Sequence, residues 1–278
     1  MKIYRTLDST FLNLEDNWYR LESFSFDNLF SSDAPRDRLF DLARREYIIS
    51  PQESPLRGTI LPPIESQEIW GAGVTYFKSR EARMEESESA KGGDFYDKVY
   101  YAERPELFFK ANAPRVVGHK DQVAIRRDSS WNVPEAELTL AINHHGEIFG
   151  YAIGNDMSSR SIEGENPLYL PQAKVYERSC SIGPCLCVPA SPPPPSTIIS
   201  LCISRDGTVA FSGETTLSQM KRELVELVEY LFRQNPFPNG AYLMTGTGII
   251  PESDFTLRSG DEISMTIDFI GTLENTVG

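Results

Sequence analysis

Short apolar runs with a two-residue period dominate the chain after Trp70, and they restrict its fold more than any other feature. Successive side chains of a strand point to opposite faces, so this alternation is typical of β-strands that bury one face. Gly and Pro residues separate the runs. The clearest examples are RVVG, DQVAI, ELTLAIN, EIFGYAIG, TIISLCIS and DEISMTIDFI. Their density predicts an α+β fold that is mostly β.

Two segments have the periodicity of helices instead. The segment DAPRDRLFDLARRE places Asp33 as a helix N-cap and Pro35 in the first turn. The segment TTLSQMKRELVELVEYLFRQN has apolar residues at helical spacing, with Thr216 and Gln219 as a capping box and Pro236 as its end. We expect this second helix to pack against the sheet.

Pro62 and Pro63 indicate a connection between the first part of the chain and the β-rich part. A chain of 278 residues accommodates one large domain, or a main domain with a smaller companion. We therefore predict a small N-terminal domain over residues 1–65 and a main domain over residues 66–278.

The net charge of −13 restricts the partners of the protein. Such a charge argues against a nucleic-acid backbone or an anionic membrane. No run reaches the ~20 apolar residues of a membrane-spanning helix, and the N-terminus lacks the apolar core of a secretory signal. The four cysteines form no C-x-x-C pair, which favours reduced, buried thiols in a cytoplasmic protein. An anionic substrate would require a metal or a few placed Lys and Arg side chains.

The run WNVPEAELTLAIN, residues 131–143, carries two glutamates on the face opposite its apolar side chains. Like charges on one strand face repel each other, so a compensating group is expected. The next run, EIFGYAIGND, follows a short polar turn, and the two runs together are typical of a β-hairpin. If the turn centres between His145 and Gly146, Glu135 lies opposite Asp156.

The hairpin thus predicts a patch of three carboxylates, from Glu135, Glu137 and Asp156. Such groups raise one another's pKa values unless a cation compensates them. Ligation by oxygen suits Mg²⁺, Mn²⁺ or Ca²⁺, whereas zinc prefers His or Cys. Spacing alone leaves two interpretations open, a divalent metal site and an exposed strand end with solvated acids. We expect His144 and His145, in the turn, to be surface residues.

Six motifs in a fixed order resemble the fumarylacetoacetate hydrolase superfamily, from about Trp70 to the C-terminus. They are GVTY (73–76), PELFFK (105–110), PEAEL (134–138), GYAIGNDMSSR (150–160), QAKVYERSCSIGP (172–184) and MTGTG (244–248). The resemblance implies a mixed β-roll around a metal site, with a small N-terminal domain, usually in a homodimer. It also implies that Glu135, Glu137 and Asp156 bind a divalent metal, foremost Mg²⁺, beside Lys174.

One departure from the family pattern bears on the reaction. Hydrolases and decarboxylases of the superfamily carry a His and a Glu shortly after the GVTY equivalent, where this chain has Ser79 and Ala82. An enzyme without this pair lacks the general base that activates water. Residues 79–106 are charged and Gly-containing, and we expect a mobile lid there or, alternatively, a solvated helix and loop. The three histidines of the chain lie elsewhere: His119, His144 and His145.

The longer strings FYDKVYYAERPELFFK, SSWNVPEAEL and GENPLYLPQAKVYER resemble the branch of the superfamily that includes 2-keto-3-deoxy-arabinonate dehydratases. This resemblance implies that Glu106 and Lys174 are the acid–base residues. It implies metal-dependent loss of water from a 2-keto-3-deoxypentonate, which yields 2,5-dioxopentanoate. Further residues in the matching motifs are expected to contact the substrate: Tyr76, Ser158, Ser159, Arg160 and Thr247.

Two alternatives stay open. The first is a hydrolase or carbon–carbon lyase of the same superfamily that acts on a diketo or keto sugar acid. The second is a non-catalytic sugar-acid binding protein. The presence of both Glu106 and Lys174 favours an enzyme, because a binding protein need not keep an acid–base pair.

Overall fold

The fold consists mainly of β-strands, as the alternating runs predict. The computed structural model describes residues 1–15, 17–46, 48–50, 58–79 and 98–278. Its strands, in chain order, are β1 Lys2–Arg5, β2 Thr10–Leu14, β3 Asn17–Leu21, β4 Ile48–Ile49, β5 Glu68–Gly73, β6 Glu106–Asn112, β7 Val116–Val117, β8 Gln122–Val123, β9 Asn132–Val133, β10 Ala136–Ile142, β11 Ile148–Asp156, β12 Ser158–Ser159, β13 Cys180–Cys187, β14 Ile198–Arg205, β15 Thr208–Thr216, β16 Ala241–Met244, β17 Glu262–Ile267 and β18 Gly271–Val277.

The helices of these described segments are short. The α-helices are α1 Phe26–Phe30, α2 Pro35–Arg45, α3 Arg160–Glu165, α4 Leu170–Lys174 and α5 Leu224–Phe232. Single 3₁₀ turns occur at Ala113–Arg115, Pro167–Tyr169 and Leu217–Gln219.

Helix α2 confirms the first predicted helix but not its cap. Pro35 is the first helical residue, so Ala34 occupies the N-cap position, and no side chain caps the helix. Pro at this position is favourable, because its fixed φ suits the helix and its missing N–H would be unpaired there anyway. The prediction of Asp33 as N-cap is therefore wrong by one residue. Its carboxylate lies instead 2.9 Å from Nε2 of His145.

The second predicted helix begins later than expected. Strand β15 extends to Thr216, which pairs with Ile198 and makes no capping hydrogen bond. The sheet ladder holds Thr216 extended, so the predicted capping box with Gln219 does not form. Helix α5 starts only at Leu224 and ends before Pro236. As predicted, it has a buried apolar face, formed by Leu227, Val228 and Leu231.

Among the described residues, the strands form sheets of 11, five and two strands. The large sheet has the order β4-β3-β2-β1-β13-β11-β10-β16-β5-β6, with β7 beside β13. The five-stranded sheet has the order β15-β14-β17-β18-β8, and β12 pairs with β9. Three pairs are parallel, β16–β5, β13–β7 and β18–β8, and the others are antiparallel. The predicted mixed, mostly β architecture is thus confirmed.

Alternate residues of β10 enter two different hydrophobic clusters. Leu138 and Leu140 belong to the cluster that contains Leu201 and Met265 of the five-stranded sheet. Ala141 belongs to the cluster that contains the apolar residues of α1 and α2. The two faces of the large sheet are therefore covered by different elements. Burial of each large aliphatic side chain contributes about 1.5–3 kcal/mol, so β10 is rigidly held.

The N-terminal strands extend the large sheet, because Lys2 and Ile3 of β1 pair with Cys187 and Leu186 of β13. The division at residues 65 and 66 stays a prediction. All four cysteines are free thiols, as expected, and burial raises the pKa of Cys180 to about 12. Within the part of the chain that the structure describes, no helix has the length and apolarity needed to span a membrane.

Candidate metal centre

The β10–β11 hairpin has the register that the sequence predicts at its carboxylate end. Ala136 pairs with Asn155, and the backbone N–H of Asp156 donates to the carbonyl oxygen of Glu135 at 3.1 Å. Glu135 therefore lies opposite Asp156. A bulge after Ala141 shifts the register, but it lies near the turn, at the other end of the hairpin. The predicted patch of carboxylates consequently forms.

The three carboxylates of this patch are close together and buried. One oxygen from each of Glu135, Glu137 and Asp156 lies within 4.8 Å of the others. Their exposed fractions are 4%, 2% and 1%, which excludes a solvated strand end. Burial, together with the charges of Asp156 and Glu135, raises the pKa of Glu137 well above its usual value. The geometry thus excludes the exposed strand end with solvated acids, and metal binding by these three residues stays a prediction.

Three buried cationic side chains contact two of these carboxylates. Lys174 Nζ donates to Glu135 Oε2 at 2.7 Å and to Asp156 Oδ2 at 2.9 Å. Arg160 Nη2 donates to Glu135 Oε1 at 2.6 Å. Lys110 Nζ lies 2.6 Å from Asp156 Oδ1. This compensation is needed, because an unpaired buried charge costs several kcal/mol.

The residues of the patch fit a hard divalent cation. Carboxylate oxygens are the ligands that Mg²⁺ and Ca²⁺ prefer. Glu137 forms no ion pair with the described residues, and Asp156 Oδ1 accepts no hydrogen bond from them despite its proximity to Lys110. A buried carboxylate without a cationic partner is unfavourable. A cation between the three side chains would therefore satisfy Glu137 and the remaining lone pairs of Asp156.

The MTGTG loop supports Glu137 with a backbone donor. Gly246 has a φ of +89°, which favours glycine, and a Cβ there would lie 2.1 Å from Thr75 Oγ1. Its N–H donates to Glu137 Oε2 at 2.6 Å. The Gly246 N–H therefore binds a protein carboxylate. Thr247 lines the adjacent pocket, and its hydroxyl accepts from the N–H of Ile249 at 3.1 Å.

One pocket combines the carboxylate patch with the predicted acid–base residues. Its walls include Glu106, Lys174 and Arg160. Glu106 is half-buried, begins β6 and pairs with Gly73 of β5. A Cβ on Gly73 would lie 2.2 Å from Glu106 Oε2, so the carboxylate occupies the space that a larger residue would fill. The absence of a side chain at Gly73 therefore positions Glu106 in the pocket.

The other predicted substrate contacts, Tyr76, Ser158 and Ser159, are buried and are not among the described residues that line this pocket. Ser158 Oγ accepts from Lys174 Nζ at 2.6 Å and so orients that lysine. The hydroxyl groups of Ser159 and Tyr76 are buried and form no hydrogen bond with the described residues. Burial, and to a lesser extent the charge of Glu137, raises the pKa of Tyr76. Substrate contacts by these three residues stay predictions.

Sequence reasoning missed two buried charged residues at the site. Lys110 is completely buried and donates to the carbonyl oxygens of Met157, at 2.9 Å, and Lys174. Lys110 is the last residue of the run PELFFK and has the same parity as Glu106 in strand alternation. This position could have indicated that the two side chains lie on one face. Glu163 is 1% exposed and lines the pocket one helical turn after Arg160. The sequence around Glu163 has no pattern that distinguishes a buried site residue from a solvent-exposed residue of a helix.

Ser79, which stands where related hydrolases have a histidine, is part of the same pocket. Its Oγ donates to the carbonyl oxygen of Tyr76 at 2.7 Å and accepts from the N–H of Tyr76 at 3.2 Å. The hydroxyl is therefore engaged with the backbone. Ala82 and most of the predicted lid, residues 80–97, lie outside the described residues.

Comparison with known proteins shows what this chain is similar to. Residues 69–278 match the family model for the fumarylacetoacetate (FAA) hydrolase C-terminal region. A probable 2-keto-3-deoxyxylonate dehydratase of Haloferax volcanii is 51% identical over 216 residues, covering 77% of this chain and 73% of that protein. A 2-dehydro-3-deoxy-D-arabinonate dehydratase of Saccharolobus solfataricus is 42% identical over 240 residues, covering 85% of this chain and 80% of that protein.

Solved structures extend the similarity to the whole chain. The structure of 2-keto-3-deoxy-D-arabinonate dehydratase complexed with magnesium and 2,5-dioxopentanoate has a TM-score of 0.86 and 34% sequence identity. The match covers 100% of this chain and 98% of that one. The family match spans most of the chain, and the identity to two relatives is well above 30%. The chain therefore belongs to the fumarylacetoacetate hydrolase family.

Proposed function

We propose that the protein is a divalent-metal-dependent dehydratase that converts a 2-keto-3-deoxypentonate into 2,5-dioxopentanoate and water. One observation carries this proposal: a single pocket holds the three buried carboxylates together with Lys174 and Glu106. Two similar proteins are named as dehydratases of such sugar acids. Ser79, in place of a histidine, provides no base for hydrolysis.

Glu135, Glu137 and Asp156 would hold the cation in this proposal. Mg²⁺ is the first candidate, because a similar structure contains magnesium, and Mn²⁺ and Ca²⁺ share its preference for oxygen. When bound, such an ion supplies positive charge that binds the carboxylate and keto oxygens of the substrate and stabilises negative charge on them. This charge also explains how an acidic protein binds an anionic substrate.

The reaction requires an ordered set of proton transfers. A proton leaves C3, the C4–O bond breaks, and the departing oxygen takes up a proton to become water. One hydrogen from C5 and one from the C5 hydroxyl then move as protons to C3 and C4, which leaves an aldehyde at C5. General acid–base residues therefore have to serve more than one carbon of the substrate.

Glu106 is the residue that we assign to proton transfer. It lies on the pocket wall, is half-buried and stands apart from the three-carboxylate patch. Lys174 donates hydrogen bonds to Glu135, Asp156 and Ser158, an arrangement that suits a charged ammonium group with three donors. Lys174 so placed stabilises negative charge near the patch.

We expect removal of divalent metal to abolish activity. Purified protein treated with EDTA should form no 2,5-dioxopentanoate from either enantiomer of 2-keto-3-deoxypentonate, and added Mg²⁺ should restore turnover on one of them. The product is measured by coupling to an aldehyde dehydrogenase, which reduces NAD⁺. The coupling enzyme is assayed separately with authentic aldehyde under the same conditions. Turnover that persists in EDTA, or no turnover on either enantiomer, would contradict the proposal.

The alternatives predict other outcomes in the same assays. A hydrolase or carbon–carbon lyase acting on a keto sugar acid would release a shorter keto acid, such as pyruvate, which lactate dehydrogenase detects. A non-catalytic binding protein would bind the sugar acid without any turnover. The buried carboxylates and the half-buried Glu106 favour the dehydratase over the binding protein, because a site for binding alone requires no proton-transfer group.

Gly73→Ala should lower activity without a comparable loss of stability. The new methyl group would meet the Glu106 carboxylate, the end of a flexible side chain that can move aside. We expect kcat/KM to fall at least about tenfold, because a small misplacement of a catalytic group has this order of effect, and the Tm to change little. Gly278→Ala is the control, since its Cβ would approach only the Gln122 side chain, at 3.1 Å, and Gln122 does not line the pocket. Unchanged activity in Gly73→Ala would argue against the role of Glu106.

We further propose that the protein works in the cytoplasm as a homodimer or an assembly of dimers. The superfamily resemblance, the four free thiols and the acidic charge support this proposal. Light scattering coupled to size-exclusion chromatography measures the oligomeric state.

A further inference from the structure

A second cluster of metal-binding groups lies in the turn of the β10–β11 hairpin. Nε2 of His145 is 2.9 Å from Asp33 Oδ1, and Nε2 of His144 is 3.5 Å from the same oxygen. One ligand atom from each of the three side chains lies within 4.8 Å of the others. Two imidazoles and a carboxylate therefore converge on one point of the surface.

Two ligand-atom distances in this cluster are close to those around a tetrahedral metal ion, and the imidazole rings, whose centroids are 3.8 Å apart, would turn away from each other to bind one. Bonds of ~2.0–2.1 Å to zinc place the ligand atoms about 3.3 Å apart, and the observed 2.9 and 3.5 Å lie on either side of that value. A hydrogen bond accounts only for His145. Nδ1 of His144 is buried and has no hydrogen-bond partner among the described residues. Of the two ring nitrogens of His144, Nε2 therefore has a polar neighbour, which is Asp33 Oδ1.

Backbone contacts hold the two histidines in place. The N–H of His144 donates to the carbonyl oxygen of Phe30 at 3.0 Å, which ties the turn to the end of α1. The N–H of His145 donates to Asn143 Oδ1 at 3.0 Å. Asp33 is released from helix capping, because Pro35 sets Ala34 as the N-cap of α2. The cluster therefore does not depend on chance contacts of long flexible side chains.

We propose that Asp33, His144 and His145 form a site for a divalent transition metal such as Zn²⁺ or Co²⁺. Imidazole nitrogen selects these ions over Mg²⁺, so this site differs chemically from the carboxylate patch. Strand β10, at ~3.4 Å per residue, separates the two sites by roughly 25 Å. The bound ion would join the α1–α2 connection to the hairpin turn and stabilise that junction, and it would leave coordination positions for water.

The test is a calorimetric titration of the protein with Zn²⁺ in the presence of saturating Mg²⁺, which keeps the carboxylate patch occupied. We expect one zinc site in the unsubstituted protein, and at least a tenfold weaker affinity in His145→Gln and in Asp33→Asn. Asp33 and His145 are exposed, so both variants should fold. His119→Gln is the matched control, because His119 is the remaining histidine and contacts Glu274 instead.

Two further measurements separate this site from metal exchange at the patch. Co²⁺ should give a visible absorption spectrum typical of tetrahedral nitrogen ligation, and this spectrum should be absent from His145→Gln. Zinc should raise the Tm of the unsubstituted protein and of His119→Gln but not that of the two site variants. Equal zinc affinity in all four proteins, or no zinc binding beyond displacement of Mg²⁺, would overturn the proposal.

Discussion

Glu106→Gln should lower kcat of the dehydration by about 10²–10⁴-fold, the usual contribution of a general acid–base residue. Gln keeps the shape and the hydrogen-bonding oxygen of the side chain but cannot exchange a proton. Glu106 is half-buried at the beginning of β6 and is not one of the three clustered carboxylates. The affinity for Mg²⁺ and the Tm should therefore stay close to those of the unsubstituted protein. Steady-state kinetics and magnesium titrations measure these quantities.

The matched control for this variant is Glu103→Gln. Glu103 is exposed, three residues earlier in the chain, and accepts a hydrogen bond from the hydroxyl of Tyr230 at 3.3 Å. It lies outside the described walls of the pocket. We expect this variant to keep its activity. If Glu106→Gln also retained full activity, our assignment of proton transfer would be wrong, although the metal dependence would stand.

Lys174→Met should abolish activity and also destabilise the protein strongly. Lys174 is 1% exposed, and its Nζ donates to Glu135, Asp156 and Ser158. Removing one partner of a buried ion pair typically costs about 3–5 kcal/mol, which corresponds to a decrease in Tm of at least roughly 6 °C. Thermal unfolding followed by circular dichroism in EDTA measures this effect.

Magnesium provides the decisive comparison for the Lys174 variant. A divalent cation among the carboxylates would compensate part of the charge that Lys174 leaves, so Mg²⁺ should raise the Tm of Lys174→Met more than that of the unsubstituted protein. Lys120→Met, at a side chain that is 69% exposed, should show neither effect. A Tm for Lys174→Met in EDTA equal to that of the unsubstituted protein would contradict the buried ion-pair network.

The carboxylate patch shows how far sequence reasoning reaches at this site. Alternation of apolar residues predicted the strand, and the position of the turn predicted that Glu135 faces Asp156, as the backbone hydrogen bond between them confirms. The hairpin is a local structure with one buried face, so a shift of register would expose its apolar residues. The bulge after Ala141 escaped prediction, because the apolar alternation of β10 continues through it to Ile142.

At two helix boundaries, by contrast, the sequence-based prediction was wrong. Thr216 and Gln219 have the sequence of a capping box, yet Thr216 belongs to β15, since the ladder with β14 supplies hydrogen bonds along the whole strand. Asp33 has the sequence of an N-cap, yet it contacts two histidines that lie more than a hundred residues later. At Asp33 the capping signal is one residue off because Pro35 sets the start of α2. At Thr216 the ladder between β14 and β15 contributes more free energy than one capping bond, which is worth about 1 kcal/mol.

The sequence by itself determined the mostly β fold, the family, the order of the motifs and the spacing of Glu135 and Glu137. These properties follow from residue periodicity and local motifs, which need no knowledge of distant contacts. Only the tertiary structure decided that the glutamates are buried and that Lys110 and Glu163 join the site. It also placed the Glu106 carboxylate in the space that a side chain at Gly73 would fill. The physical reason is that the burial, the pKa and the ion pairs of a side chain depend on which distant strands exclude water from it. The residue pattern within one strand does not contain this information.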